Sequence, residues 1–257
     1  MLSNFGTMIG KTVLLIDDDV DFLKLASLIF KASDAQVITA RDGLEGMGKL
    51  FTHQPDLIIL DVMMPGIDGF QVCQRIRQYS NTPLIMLSAL DHDELMLKGL
   101  EAGADDFLSK PINPEILLAR AKAVMRRGRP NKAYQEVVNY ADGHLEIDIE
   151  RHRVQIGGKQ VKLTSVEFRL LAYLVGSAGR VLSFEQILFS VWGSEYKSND
   201  DYVHVYISHL RNKIEQDPKN PRYIRSIYGV GYIFEKQDFL EISRAVDKAI
   251  FVSSKGV

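Results

Sequence analysis

The sequence predicts a doubly wound α/β sheet in its first half and a smaller α+β unit in its second. Five apolar runs, Val13-Leu14-Leu15-Ile16, Val37 to Ala40, Leu57-Ile58-Ile59-Leu60, Leu84-Ile85-Met86-Leu87 and Phe107-Leu108, are separated by segments of helical period. Runs this apolar belong to parallel strands covered on both faces, because a sheet with one wet face would alternate polar and apolar residues. Beyond about residue 140 the order changes: short alternating runs around Gly157-Gly158 come first, then helical periods, then a last hairpin.

Each element has its own signal. Asp19, after the first strand, is the N-cap of a helix carrying Phe22, Leu25, Ala26, Ile29 and Phe30 at helical spacing. After the second strand, a helix opens near Asp42 and sets Leu44, Met47 and Leu50 on one face. Pro55 and Asp56 introduce the third strand, and Met64-Pro65-Gly66-Ile67-Asp68-Gly69 is a turn beside Asp61 that leads into a helix through Val72 and Ile76. The fourth strand precedes a helix holding Leu95 to Leu100, which Gly103 ends. Pro114, at a helix start, opens the fifth helix, running to Arg126-Arg127.

Polar residues follow four of these strands in a chemically coherent set. Asp17 and Asp18 follow the first, Asp61 the third and Ser88 the fourth, and Lys110 lies just beyond the fifth. In an open parallel sheet, ligands gather outside the carboxyl ends of the strands, so these side chains are expected to converge. Asp17, Asp18 and Asp61 offer the hard oxygen ligands that Mg2+ takes while keeping several waters. Asp61, isolated at its strand tip, is the expected nucleophile, since a carboxylate can attack a phosphoryl group to give an acyl phosphate. Lys110 supplies a point charge for the phosphoryl oxygens and Ser88 a hydroxyl donor. Any one of these alone reads as a solvated loop residue; the ordered set does not.

Composition limits the alternatives. With 257 residues, 46% hydrophobic, 25% charged and a formal net charge of −2, the chain reads as an ordinary soluble protein of one or two domains. A single cysteine, Cys73, permits no intrachain disulfide and no cysteine metal framework, which suits a reducing cytoplasm. Met1 to Gly10 has no basic stretch leading into an apolar core, and no apolar run approaches the span of a bilayer. The expected location is cytoplasmic, away from any membrane.

The segments Asp17-Asp18, Asp61 with Met63-Met64-Pro65-Gly66, Ser88-Ala89 and Gly103-Ala104-Asp105-Asp106-Phe107-Leu108-Ser109-Lys110-Pro111 resemble the receiver domain of bacterial two-component response regulators. The resemblance covers residues 11 to 127. It implies a five-stranded flavodoxin-like fold and phosphoryl transfer from a sensor histidine kinase to Asp61. It also implies Mg2+ held by Asp17, Asp18, Asp61 and the backbone carbonyl of Met63. Ser88 and Phe107 would form a switch pair, whereas spacing alone makes Phe107 a core-facing strand residue.

Arg126, Arg127, Arg129, Pro130, Asn131 and Lys132 are polar and helix-breaking, as expected of a linker, assigned to 128–141. Leu145, Ile147 and Ile149 alternate with acids, and Val154-Gln155-Ile156 enters a hairpin at Gly157-Gly158 from which Lys159 to Leu163 returns. Thr164 with Glu167 forms a capping box for a helix burying Phe168, Leu171, Leu174 and Val175; Ser183 with Gln186 repeats it for a helix through Ile187, Leu188 and Val191. A third helix buries Val203, Ile207, Leu210 and Ile214, and two short strands flank Gly229-Val230-Gly231-Tyr232. Three helices and a hairpin read as a winged helix-turn-helix whose third helix enters the groove. Leu163-Thr164, Glu167-Phe168, Val191-Trp192-Gly193, Ile207 to Ile214 and Gly229 to Tyr232 resemble the effector domain of the OmpR/PhoB subfamily over residues 142–235. That implies transcription regulation at promoter DNA, a receiver-linked homodimer, and a loop from Gly193 to Asn199 facing RNA polymerase; an enzyme is not expected.

Departures from the family qualify this expectation. The outward face of the third helix is expected to carry Asp201, Tyr202, Val205, Ser208, His209 and Asn212, with no Lys or Arg, and Tyr228 replaces an arginine common in the wing. Over residues 140–235, twelve Lys/Arg balance twelve Asp/Glu, so phosphate contacts must come from flanking groups such as Arg211, Lys213, Lys197, Arg222 and Arg225. Asp105 with Arg127 and Asp106 with Arg120 are expected on the dimer face, where Met96 and Ile116 replace a third ion pair. Phe239, Ile242, Val246, Ala249 and Ile250 fall on one helical face of the tail, 236–257, which packs on its own domain or docks another protein. Two alternatives remain: a haloacid-dehalogenase-like phosphatase, whose acid spacing Asp17 and Asp19 match, and a phosphorylation-independent or protein-binding regulator with weak DNA binding.

Overall fold

The structure, a computed structural model, describes residues 8–90, 93–125, 139–193, 196 and 200–237. The chain divides into two compact units, one built on the elements up to Met125 and the other on those from Tyr140 onward.

In the first unit, β1 (Thr12–Ile16), β2 (Gln36–Ala40), β3 (Leu57–Asp61), β4 (Leu84–Ser88) and β5 (Asp106–Ser109) form a parallel sheet in the order β2-β1-β3-β4-β5. Five helices connect and flank them: α1 (Val20–Lys31), α2 (Gly43–His53), α3 (Gly69–Tyr79), α4 (Asp93–Glu101) and α5 (Pro114–Met125). Leu14, Ile16, Ile58, Leu60, Leu84 and Met86 face one core with Leu50, Phe70, Val72 and Ile76. Val13, Leu15, Leu57, Ile59, Ile85 and Leu87 face the other with Leu23, Ala26, Phe30, Leu117 and Ala121. Successive residues of one strand therefore serve opposite cores, which is why the runs are apolar without alternation.

Asp19 caps α1 by accepting from the backbone N–H groups of Asp21 and Phe22, and Asp42 caps α2 by accepting from that of Glu45. Two side chains expected inside are not. Leu25 is exposed, and the inward positions of α1 are Leu23, Ala26 and Phe30. Leu44 is 74% exposed, and α2 turns Gly43, Gly46 and Leu50 inward instead. Those glycines let α2 approach closely: a Cβ on Gly43 would lie 2.3 Å from Val72, and one on Gly46 2.5 Å from Ile16. Apolar spacing alone could not show that the packed stripe is partly glycine.

In the second unit, β6 (Tyr140–Ala141), β7 (Leu145–Asp148), β8 (Arg153–Ile156) and β9 (Lys159–Val161) form an antiparallel sheet in chain order. Gly157 and Gly158 both have positive φ, as a two-residue hairpin turn with matching twist requires. Then come α6 (Ser165–Gly176), β10 (Val181–Ser183), α7 (Phe184–Val191), α8 (Asp200–Ile214), β11 (Ile224–Ile227) and β12 (Gly231–Phe234). The last three strands pair antiparallel in the order β10-β12-β11, so the terminal hairpin is a wing seated on β10. Ser183 and Gln186 form the expected capping box of α7. Arg126-Arg127, most of the linker, Lys197 and the tail stripe from Phe239 lie outside the described residues.

A Cβ on Gly69 would lie 2.1 Å from the Asp61 carbonyl oxygen and 2.8 Å from Val62 Cα, whereas one on Gly48 meets nothing within 4 Å. Gly69→Ala should therefore destabilise the first unit by about 1–3 kcal/mol through forced backbone shifts. Gly48→Ala, inside α2, should stabilise it by about 0.5–1 kcal/mol. Urea denaturation followed by circular dichroism checks both signs.

Candidate functional site

The strand register explains why distant residues meet. Ile16 pairs with Leu60, so Asp17 and Asp61 continue side by side past the ends of β1 and β3. Asp61 pairs with Leu87 and Ser88 with Ser109, which sets Ser88 one residue and Lys110 two residues further along the same rim. The order β2-β1-β3 reverses direction between β1 and β3, and that switch point is where an open sheet leaves a crevice.

Within it, the carboxylate oxygens of Asp17, Asp18 and Asp61 lie within 4.8 Å of one another. Lys110 Nζ donates to Asp17 Oδ2 and Asp61 Oδ1, both at 2.6 Å, and lies 4.3 Å from the centre of the Phe22 ring. The remaining oxygens accept backbone N–H groups, Asp17 Oδ1 from Asp19 at 2.9 Å and Asp61 Oδ2 from Met63 at 2.6 Å. Asp17 and Asp61 are buried and Asp18 is exposed, so the crevice opens on one side. Burial pushes the Asp17 carboxyl above its ordinary pKa, against the hydrogen bonds from Lys110 and Asp19. Burial would lower Lys110, but its bonds to Asp17 and Asp61 outweigh it and hold the ammonium above its usual value. Both groups are shifted upward, which disfavours the Asp17 carboxylate but favours the Lys110 ammonium; with two carboxylate oxygens at 2.6 Å, Lys110 is charged.

Ser88 is buried, and its Oγ accepts from the Leu90 N–H at 3.1 Å. Phe107 is buried on the face of Met86, close enough to α4 that a Cβ on Gly99 would lie 2.7 Å from its ring. Asp105 is 0% exposed within the chain, and its Oδ2 accepts from Arg77 Nη2 and the Leu84 N–H, both at 2.8 Å. Asp106 is equally buried, 3.7 Å from Arg120 of its own chain, the pair the sequence expects, and accepts from the Phe107 N–H. Acids at a strand start reach inward to satisfy nearby donors. Met96 is half-buried, Ile116 is exposed, and Arg127 lies outside the described residues.

In the second unit, Val203, Ile207, Leu210 and Ile214 of α8 are buried as expected. Tyr202, expected outward, is 3% exposed and packs edge-on to Trp192 at 5.9 Å. It sits about 100° around the helix from Val203, on a flank that Trp192 and Tyr196 cover. The exposed stripe of α8 is Asp201, His204, Ser208 and Asn212, with Val205 and His209 half-buried beside it. His204 escaped the sequence reading, although its place three residues after Asp201 and four before Ser208 marks that stripe. His209 Nδ1 lies 4.0 Å from Glu167 Oε1.

Two cations expected to meet phosphates are engaged internally. Lys213 Nζ donates to both carboxylate oxygens of the buried Glu167 at 2.7 Å. Arg211 donates to the Ile224 carbonyl through Nε at 3.0 Å and Nη2 at 2.7 Å, and to Ser226 Oγ at 2.9 Å, which clamps the wing to α8. Arg225 pairs with Glu235 on the surface, while Tyr228 at the wing tip is fully exposed.

Residues 13–122 match the family of the response regulator receiver domain, and residues 158–234 that of the transcriptional regulatory protein, C terminal. The DNA-binding dual master transcriptional regulator RpaA of Synechocystis is 40% identical over 229 residues, covering 87% of this chain and 94% of the relative. The alkaline phosphatase synthesis transcriptional regulatory protein PhoP of Bacillus subtilis is 39% identical over 234 residues, covering 88% and 98%. A cysteine-to-aspartate mutant of RitR superposes with a TM-score of 0.69 at 29% identity, over 89% of this chain and 100% of that one.

Removing Lys213 takes two hydrogen bonds from the buried Glu167 carboxylate. Lys213→Met should cost the second unit about 1–3 kcal/mol. Trp192, the sole tryptophan and fully buried in that unit, reports its unfolding by fluorescence.

Proposed function

Because the chain belongs to the two-component response regulators of the OmpR/PhoB type, we propose that it is a DNA-binding transcription regulator switched by phosphorylation of Asp61. The observation that carries this reading is the Lys110 ammonium bridging Asp17 and Asp61 at the β1/β3 switch point. Three carboxylates within 4.8 Å are a hard-oxygen donor set that suits Mg2+, and Asp17, Asp18, Asp61 and the Met63 carbonyl would hold it. When bound, Mg2+ would neutralise charge on the phosphoryl oxygens. The donor is a phosphohistidine of a sensor kinase: an Asp61 oxygen forms the O–P bond, the N–P bond breaks, and the imidazole leaves and takes up a proton.

Lys110 would then exchange its bond to Asp61 for phosphoryl oxygens, and the Ser88 hydroxyl would turn from the Leu90 N–H to donate to them. Phe107, packed between Met86 and Gly99, would follow that movement and carry it to α4. The apolar Met96 and exposed Ile116 support receiver pairing across α4, β5 and α5, because an isologous face requires only self-complementarity. The exposed stripe of α8 and the wing tip at Tyr228 would face promoter DNA, and the loop from Gly193 to Asn199 RNA polymerase.

Incubation with acetyl phosphate and Mg2+ should add one phosphoryl group by intact-mass measurement, lost in Asp61→Asn. Undiminished labelling of that variant would refute the assignment.

With Arg211 and Lys213 engaged internally, phosphate contacts are few, and each contributes about 0.9 to the slope of log affinity against log salt. The phosphorylated protein should bind a tandem site far better than one half-site, with a shallow slope that Lys213→Met leaves unchanged. A slope that falls by about one in that variant would make Lys213 a phosphate contact after all.

A further inference from the structure

His204 lies on the exposed stripe of α8, yet its ring is anchored to the wing. Its Nδ1 is 2.8 Å from the Tyr232 hydroxyl. Phe184 packs edge to face against the imidazole at 4.9 Å and against Tyr232 at 5.9 Å, which fixes the ring's orientation. Ser226 stands directly opposite the buried Tyr232 across the β11–β12 hairpin. Its Oγ accepts from Arg211 Nη2 at 2.9 Å, so the hairpin that carries Tyr232 is clamped to α8.

The Tyr232 phenol lies 2.8 Å from His204 Nδ1 and can donate its proton there. Burial holds the Tyr232 phenol above its ordinary pKa, so the proton it must donate is retained. A neutral imidazole that accepts at Nδ1 carries its hydrogen on Nε2, and the opposite edge of His204 is therefore a fixed donor.

We propose that His204 is a specificity-determining residue whose Nε2–H, oriented by the Tyr232 hydroxyl at Nδ1 and by the Phe184 ring, donates to the N7 atom of a purine in the major groove. N7 is the acceptor that both purines present there, and a single fixed donor suits it. This rests on the DNA-reading function proposed above.

The test uses the full-length phosphorylated protein as wild type, His204→Ala and Tyr232→Phe. Sites are selected from random tandem repeats, and each purine of the selected half-site is then replaced by its 7-deaza analogue, which lacks only the N7 acceptor. At one position the wild type should lose about tenfold in affinity, and His204→Ala should lose nothing. Tyr232→Phe, which keeps the ring, should show a smaller loss. Nitrogen-15 shifts of the His204 ring without DNA should report the Nε2–H tautomer in wild type and a mixture in Tyr232→Phe. An Nδ1–H tautomer in the wild type, or a deaza penalty equal in wild type and His204→Ala, overturns the inference while leaving the DNA-reading function intact. A wild type that selects no sequence overturns both.

Discussion

Asp17 and Asp61 lie buried side by side at the ends of β1 and β3. Lys110, delivered from beyond β5, bonds both at 2.6 Å and compensates them. Removing one partner from a buried ionic group costs about 3–5 kcal/mol, because charge is left without compensation. The interaction therefore ties three strand ends into one rim, and it also stores the response. Any phosphoryl group added to Asp61 must renegotiate its bond with Lys110, and the rest of the rim, Ser88 and then Phe107 beneath α4, lies next in line.

The parallel sheet makes that arrangement possible. All strands end at one edge within two residues of the same level, so one residue of register separates the Asp17/Asp61 pair from Ser88 and two separate it from Lys110. Close passage of α2 and α3 over the sheet depends on absent side chains: Gly43 and Gly46 admit Val72 and Ile16, and Gly69 admits the backbone at Asp61. Asp61 is held by packing as well as by charge.

The second unit treats its charges in the same way. Glu167 takes up Lys213, and the Glu215 carboxylate accepts the N–H groups of Arg222, Tyr223 and Ile224 at 2.8–2.9 Å, fixing the turn into β11. Arg211 clamps the wing. Cations on the flanks of α8 thus hold the unit together, and its exposed stripe is left polar but almost uncharged. Such a surface offers directed hydrogen bonds rather than a dense basic charge.

Residue order alone determined the sheet, its helices, the wing and the converging rim, because each rests on a local signal: an unbroken apolar run, a capping Asp or Ser, a glycine pair, a polar residue at a strand end. It also marked the third helix through Val203, Ile207, Leu210 and Ile214. Only the tertiary structure decided which of two chemically acceptable places a flanking residue takes. Tyr202 is buried because Trp192 and Tyr196 cover that flank. Asp105 turns inward because Arg77 and the Leu84 N–H wait there. Arg211 and Lys213 are spent on the Ile224 carbonyl and Glu167, partners 13 and 46 residues away. Leu44 yields its inward place to Gly43 and Gly46 because α2 lies too close for a side chain. In each case the deciding partner is distant in sequence, and periodicity carries no information about a partner until the chain has folded.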